Sequence, residues 1–569
     1  MTLRSKEASI SGDARRSARI LWVILIIAGA YVFWDAHRPF QLVDEYWYAE
    51  IVRNMLETGD LLTPRLGDRP EWIKPPLFYW LSLPFVAVVP SLEVGMRLLP
   101  GLAFLATIWL AFGIARKHLT AGAAPLAALV FFLTYDHLHI HGARNAVFEG
   151  VVNLELAVAF ALNLRMWTEP RTVRWLGPVL ALVFLTKSAV VAFPLAFTLA
   201  NLWILRGRGP ARRDLAVGVG LGVLVGLPWL AAVVAVHGRT VIDTMLLDQV
   251  LHRVVNDTGA ALTMPGRSFG RSEPLGVLQQ LGTYAQPWIL LLPGALLALW
   301  VDRRRGLDAR THTLRLATVW LAIVVFLFLI ARASWPWHPN SIHLPLALLS
   351  ADLLARFLRE ENTAALDCLV VAAALTGLFF LRAPFAHDPF AKLPILCEFD
   401  PALLSQIGVF VLLFAVLFVV CRRRRLPSML QLTPLIVVPV VAGWTWWGMD
   451  SVVPVGVAAA AFALAVLFGS RRGVWPSRPA FIVLLATTGI IYLAAPFRSP
   501  HRWDRFPPIA QIDARIGSSG APKRDYVVKG ATYYAYVVIV SAYRRRARIE
   551  YDPRLWTVTI GPGRGVIVH

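Results

Sequence analysis

Charge is scarce in this chain and cysteine is almost absent. Only 16% of the 569 residues are charged, against about 25% in an ordinary soluble domain. The shortage excludes a disordered chain and makes a soluble enzyme a poor description. The three cysteines, Cys368, Cys397 and Cys421, are too few for a disulfide framework, and no Cys-x-x-Cys or Cys/His zinc spacing accompanies them. Acidic residues are the scarcer sign, 35 against 56 Lys and Arg, a net charge of +21. Such a balance can mark a nucleic-acid binder. Here, however, the cations sit in short clusters between apolar runs, which fits membrane topology and implies no nucleic-acid partner. What the chain does have is apolar sequence: 57% hydrophobic residues and a mean hydropathy of +0.59. The class implied is an all-α polytopic membrane protein.

A spanning helix needs about 20 mostly apolar residues. Runs that meet this or approach it lie at 19–36, 97–115, 121–136, 147–165, 174–187, 188–206, 214–236, 285–302, 315–332, 341–359, 364–383, 404–421, 431–449, 452–469 and 478–496. The two runs meeting near 187 are short, which predicts a broken or tilted pair. Residues 1–18 form a basic leader with Arg15 and Arg16, and Arg19 opens the first run. No small-residue cleavage site follows, so the run reads as a signal anchor. The segment Pro75–Pro90 is apolar but short, with four prolines, and is assigned to the membrane surface. With it excluded, every even-numbered junction is basic, from Arg116 and Lys117 through Arg303–Arg305 to Arg471 and Arg472. That pattern places the N-terminus in the cytoplasm. The domain map is then a leader at 1–18, a transmembrane domain at 19–496 with long outer loops at 37–96 and 237–284, and a tail at 497–569. Alternating, β-branched runs such as Tyr533–Ser541 and Trp556–Ile560 give that tail a small, β-rich, periplasmic reading.

The chemistry-bearing residues gather in the outer loops. Ala49, Val52, Met55 and Leu56 follow a helical period, so the segment from Val43 reads as an interfacial amphipathic helix. Asp44 and Tyr48 are four apart and share one of its faces. A plain capping role for Asp44 is the simpler alternative. Farther along, Lys74 precedes Pro75 and Pro76, which disfavour a helix at that point and suit a turn that aims the lysine at an anion. A lysine that snorkels to lipid headgroups is the alternative. Glu149 opens an apolar run, where an acid is costly enough to imply a functional or paired role. Lys187, between two apolar runs, invites the same reading. His137 and His141 are four apart beside Asp136 and are the weak candidates for a metal site.

In order along the chain, Asp44-Glu45, Lys74-Pro-Pro-Leu-x-Tyr-Trp, Arg97-Leu-Leu-Pro-Gly, His141-Gly-Ala-Arg144 with Glu149, Leu185-Thr-Lys-Ser188, Pro228-Trp229, His252-Arg253 and Asn340-Ser-Ile-His343-Leu-Pro form a set over residues 40–350. This set resembles the lipid-dependent glycosyltransferases of the GT-C fold, above all the 4-amino-4-deoxy-L-arabinose lipid A transferases, which are related to protein O-mannosyltransferases. Several positions depart from that pattern: Ile73 replaces a Glu, Trp47 an Arg, Glu149 an Asp, Asp248 a His and His343 a Tyr. They mark a divergent member.

The resemblance implies a GT-C fold with about 13–15 transmembrane helices, periplasmic juxtamembrane helices and the β-rich tail. It implies a bacterial inner-membrane enzyme with a periplasmic site that moves a sugar from a polyprenyl (undecaprenyl) phosphate to lipid A or another envelope glycan. Asp44 and Glu149 take the catalytic positions. Lys74, Arg253, Tyr48, Arg144 and His343 take those that bind lipid phosphate or acceptor. No cofactor is required, and a divalent metal is a secondary possibility. A flippase of lipid-linked glycans and an O-antigen ligase or polymerase are the alternatives; long outer loops carrying acids argue against a transporter.

Overall fold

A computed structural model describes residues 3–38, 40, 43–66, 69–134, 142–206, 208–245, 285, 287–330 and 338–362, scattered helical positions beyond these, and four short strands of the tail. The expected runs from 364 to 496 lie almost wholly outside the described residues. So do Arg253, His137, His141 and nearly all of the loop 237–284.

The first ten apolar runs each contain a helix. The helices are α1 (Leu3–Phe33), α4 (Leu92–His118), α5 (Ala123–Phe132), α6 (Glu149–Arg165), α7 (Val173–Thr186), α8 (Ala192–Ile204), α9 (Arg212–His237), α10 (Leu292–Asp302), α11 (Ala309–Ile330) and α12 (His343–Leu358). Between α1 and α4 lie α2 (Val43–Thr58) and α3 (Leu77–Val88). Among the described helices, five segments are long and apolar enough to cross a membrane: Arg15–Phe33, Leu92–His118, Arg212–His237, Ala309–Leu327 and Asn340–Leu358. The others are shorter. At 12 residues, α3 is about 18 Å long, too short for a hydrocarbon core of about 30 Å.

Local chemistry sets the ends. Ser91 caps α4, accepting from the Val94 amide at 3.3 Å, and Arg116, Lys117 and His118 occupy its last turn, where the helix dipole favours cations. The pair near 187 is broken: Lys187 is extended (φ −153°, ψ 90°), and a 3-10 turn at Ser188–Val191 precedes α8.

α12 is the central helix; every residue from His343 to Phe357 is buried, and it packs on α5, α10 and α11. α4 packs on α5 and α6, and α7 on α9. The last contact is backbone to backbone: a Cβ at Gly177 would lie 1.7 Å from the Gly218 carbonyl oxygen, and one at Gly222 2.9 Å from that of Gly177. Gly218, Gly222 and Gly226 repeat every fourth residue of α9, the small-residue stripe by which helices approach closely in lipid.

Two strands, β1 (Arg65–Leu66) and β2 (Arg69–Pro70), pair antiparallel in the first loop. In the tail, β3 (Tyr526–Lys529), β4 (Arg548–Glu550), β5 (Val558–Pro562) and β6 (Val566–Val568) form a sheet of order β4-β3-β5-β6, with only the β3–β4 pair parallel.

Candidate active site

Adjacent acids on α2 have different surroundings. Glu45 is fully buried. It receives Arg97 of α4 at 3.0 Å, the Ala146 amide at 2.9 Å and the Asn145 side chain at 3.4 Å. Arg97 also donates to the Ala36 carbonyl at 2.8 Å and to that of Arg38. This knot ties the exit of α1, the start of α2, α4 and the segment before α6. Asp44, in the first turn of α2, stays partly exposed.

Tyr48 lies one turn below Asp44, as the i, i+4 spacing requires. Its ring meets Phe148 at 4.6 Å, Phe78 at 6.0 Å and Tyr79 at 6.1 Å. Phe78 stacks on Phe148 at 4.3 Å. Each such pair adds about 0.5–1.5 kcal/mol beyond area burial, so α2, α3 and the start of α6 share one aromatic wall. Burial pushes the Tyr48 phenol well above its ordinary value of 10.0, and the charges of Asp44, Glu149 and Glu71 push the same way. Burial does the same for Tyr79, with Glu71 and Asp44 adding to it. Both phenols therefore remain protonated hydrogen-bond donors, with three carboxylates acting on them.

Glu149 is buried at the first position of α6 and binds Lys187 at 2.9 Å. The break after α7 is what presents that lysine. One layer deeper, Glu155 accepts from Thr186 at 2.6 Å. A Cβ at Gly150 would stand 2.8 Å from the Pro100 carbonyl oxygen, so glycine is what lets the Glu149 end of α6 close onto α4. Arg144 turns to a different carboxylate, binding Asp35 at 2.5 Å and lying over the Tyr31 ring at 4.8 Å. Burial raises the Asp35 carboxyl, but the charges and hydrogen bonds of Arg38 and Arg144 outweigh it and hold it below its ordinary value. His343 is buried at the first position of α12.

The loop with Lys74 is docked at both edges. Asp60 accepts the Leu62 and Thr63 amides at 3.1 and 3.0 Å. Trp80 donates to the Leu61 carbonyl at 2.8 Å and Trp229 of α9 to that of Leu62 at 3.1 Å. Thr63 meets His237 at 3.0 Å. Glu71 accepts the Ile73 amide at 2.9 Å, forming the turn just before Lys74.

The structure thus brings Asp44, Tyr48 and Glu149 to one wall, puts Lys74 in the adjoining loop, and adds Lys187, Glu71 and Tyr79. Among the described residues, no group of three or more His, Cys, Asp and Glu is arranged to hold a metal ion. Asp35 belongs to no motif, and Glu45 stands in the Asp44-Glu45 pair with nothing in the sequence to show what it binds. Their partners lie 52 and 109 residues away, so only the three-dimensional structure reveals them. For Glu71 a signal existed: a second acid three residues before Lys74.

No family model matches the chain. Curated relatives do. An undecaprenyl phosphate-alpha-4-amino-4-deoxy-L-arabinose arabinosyl transferase of Pseudomonas aeruginosa is 26% identical over 404 residues, 66% of this chain and 68% of the relative. A second such transferase, from Pseudomonas fluorescens, is 27% identical over 61% of this chain and 59% of its own length. The chain thus spans about two thirds of the relatives it matches. Crystal structures of ArnT from Cupriavidus metallidurans superpose with TM-scores of 0.64 (bound to undecaprenyl phosphate) and 0.61 (apo), at 16% and 17% identity. The first covers 94% of this chain and 85% of ArnT. The chain thus has the fold of ArnT and is similar in sequence to the undecaprenyl phosphate-dependent arabinosyl transferases.

Proposed function

We propose that the chain is an inverting glycosyltransferase that moves a sugar from a polyprenyl phosphate, undecaprenyl in a bacterium, to an envelope lipid or glycan on the outer face of the inner membrane. The carrying observation is the place of Asp44, half-buried in the first turn of α2 and one turn from Tyr48, whose ring packs on Phe148 beside Glu149.

In this reading Asp44 takes the proton of the acceptor hydroxyl as that oxygen attacks the anomeric carbon; such general bases contribute about 10²–10⁴-fold. The lipid phosphate leaves as its charge grows, and Lys74 and Arg253 neutralise it, Arg253 with the bidentate fork of a guanidinium. Tyr48 donates a hydrogen bond in the same site. Glu149 holds Lys187 and orients the acceptor; His343 and Arg144 border the cavity or support its wall. No step needs a metal or another cofactor. The N-terminus is cytoplasmic, and the tail from 497 forms a β-rich cap on the periplasmic side.

The test compares envelope glycolipids and polyprenyl-phosphate sugars by mass spectrometry in a deletion strain carrying nothing, the wild-type chain or Asp44→Asn at equal membrane level. One glycolipid should vanish in the deletion and in Asp44→Asn while its lipid-linked donor accumulates. Full restoration by Asp44→Asn would reduce Asp44 to a helix-terminal acid and overturn the site.

A further inference from the structure

Two turns meet at the ends of α6–α9 that lie away from Glu149, Lys187 and His237. One joins α6 to α7 and the other joins α8 to α9. They share a small apolar core of Met166, Val173 and Leu205, with Trp167 and Leu215 packed against it. Arg174 of α7 also binds Asp214 of α9 at 2.7 Å. Arg171, Arg206, Arg208, Arg212 and Arg213 belong to the same turns, and all five are exposed. Among the described residues none of them has an ion pair. The acids beside them are engaged elsewhere, Asp214 with Arg174 and Glu169 with Arg165. Other arginines at this end are closed: Arg310 by Asp302 and Asp352, and Arg356 by Asp302. The two turns therefore present an uncompensated positive patch on a packed base.

The surroundings of the patch select its ligand. Trp175 of α7 and Trp203 of α8 are 64% and 62% exposed, and exposed indoles at helix ends mark the headgroup level of a bilayer. The Arg206 guanidinium lies over the Trp203 ring at 4.6 Å, and that of Arg208 over Trp167 at 5.8 Å. Cation–π contacts of this kind hold both cations at the depth of the rings. From there the surface of α8 and α9 is apolar and exposed, with Leu199, Val219 and Val223. A fitting ligand has an acidic head with hydrocarbon attached. A nucleic acid or an acidic peptide supplies the first without the second.

We propose that these two turns form a binding site for an anionic phospholipid. Its phosphodiester is held by Arg206, Arg208, Arg212 and Arg213, and its acyl chains lie along α8 and α9. The guanidinium fork takes two phosphate oxygens at once, and basic clusters at the ends of membrane helices attract acidic lipids. The site is separate from the transfer chemistry: α9 runs 26 residues, about 39 Å, before His237 meets the loop that bears Lys74.

The experiment titrates the full chain in detergent with phosphatidylglycerol and, separately, with phosphatidylcholine of the same acyl chains, and counts bound lipid by native mass spectrometry. Each arginine near an acidic headgroup is worth about fivefold in affinity, so the wild-type chain should prefer phosphatidylglycerol by about a hundredfold or more. Arg206→Gln/Arg208→Gln should lower that preference about twentyfold. Arg116→Gln/Lys117→Gln removes two charges from another exposed junction and should lower it by less than about twofold. Equal losses in the two variants would show that net charge alone attracts the lipid and would overturn the site. A wild-type chain without preference would overturn it as well. If Arg206→Gln/Arg208→Gln shifts the melting temperature in phosphatidylcholine, Arg212→Gln/Arg213→Gln takes its place, with the same loss expected and the same outcome against the proposal.

Discussion

The two ends of the bundle handle charge in different ways. α4 has 27 residues, about 40 Å of helix. Its first turns meet Glu45 through Arg97, and its far end leads to Thr120. At that far end Asp352 accepts from Arg310 at 2.6 Å and from the Thr120 hydroxyl at 2.7 Å. Asp302 accepts from Arg310 and Arg356, each at 2.9 Å. Two carboxylates and two guanidiniums balance there and fasten α10, α11, α12 and the turn after α4. The near end also pairs its acids, Glu45 with Arg97, Asp35 with Arg38 and Arg144, and Glu149 with Lys187, but sets them beside the aromatic wall of Tyr48, Phe78, Tyr79 and Phe148. One end joins helices through a closed set of four charges; the other places its ion pairs next to a wall of phenols and phenyl rings.

The largest effect should separate the ends. Asp44→Asn should reduce transfer about 10²–10⁴-fold, the range of a lost general base, and leave the melting temperature in detergent nearly unchanged. Asp352→Asn should do the reverse, losing about 1.5–3 kcal/mol because it weakens charged hydrogen bonds from Arg310, which keeps Asp302 as its second partner, with normal turnover per folded molecule. A turnover loss in Asp352→Asn at full stability would break the contrast. Glu45→Gln should fall between. It weakens hydrogen bonds to a charged partner, about 1.5–3 kcal/mol, and should lower both stability and transfer, since the Asp44 turn is mounted on that knot.

A pH titration sharpens the comparison. Tyr48 and Tyr79 lie above their ordinary value of 10.0 in the folded chain. Their contribution is therefore complete below pH 10 and lost as pH rises beyond it, because the unfolded phenols ionise first. The slope is about 1.4 kcal/mol per group per pH unit. A Tyr48→Phe/Tyr79→Phe double variant should lack this part of the alkaline loss, read as melting temperature between pH 9 and 11. The smallest effect belongs to Arg165–Glu169, both more than half exposed. Glu169→Gln should shift stability by no more than about 0.5 kcal/mol and leave transfer alone.

Much of the fold was legible because membrane helices announce themselves by length and apolar content. The first ten runs each hold a helix, and the break expected near 187 falls at Lys187. Pro75–Pro90 holds a 12-residue helix, close in length to α5 and α10. The shared face of Asp44 and Tyr48 was legible too, since i, i+4 geometry is local. What the sequence hid were pairings across distance. Arg144 reads from its motif as a substrate-binding residue, and its ion pair with Asp35 spans 109 residues. Glu149 takes Lys187, 38 residues on. Tyr79 sat in a motif with nothing to distinguish it from any interfacial tyrosine. Its burial is a property of the folded chain only.

The glycine seam between α7 and α9 also orders events in time. α8 lies between these helices in the chain, so the seam closes only after α8 has crossed and α9 has followed. Trp229 and His237, which hold the 60–63 turn, arrive with α9. The loop bearing Lys74 thus gains its second anchor only once α9 has been made, since Trp229 stands 167 residues after the Leu62 carbonyl it binds.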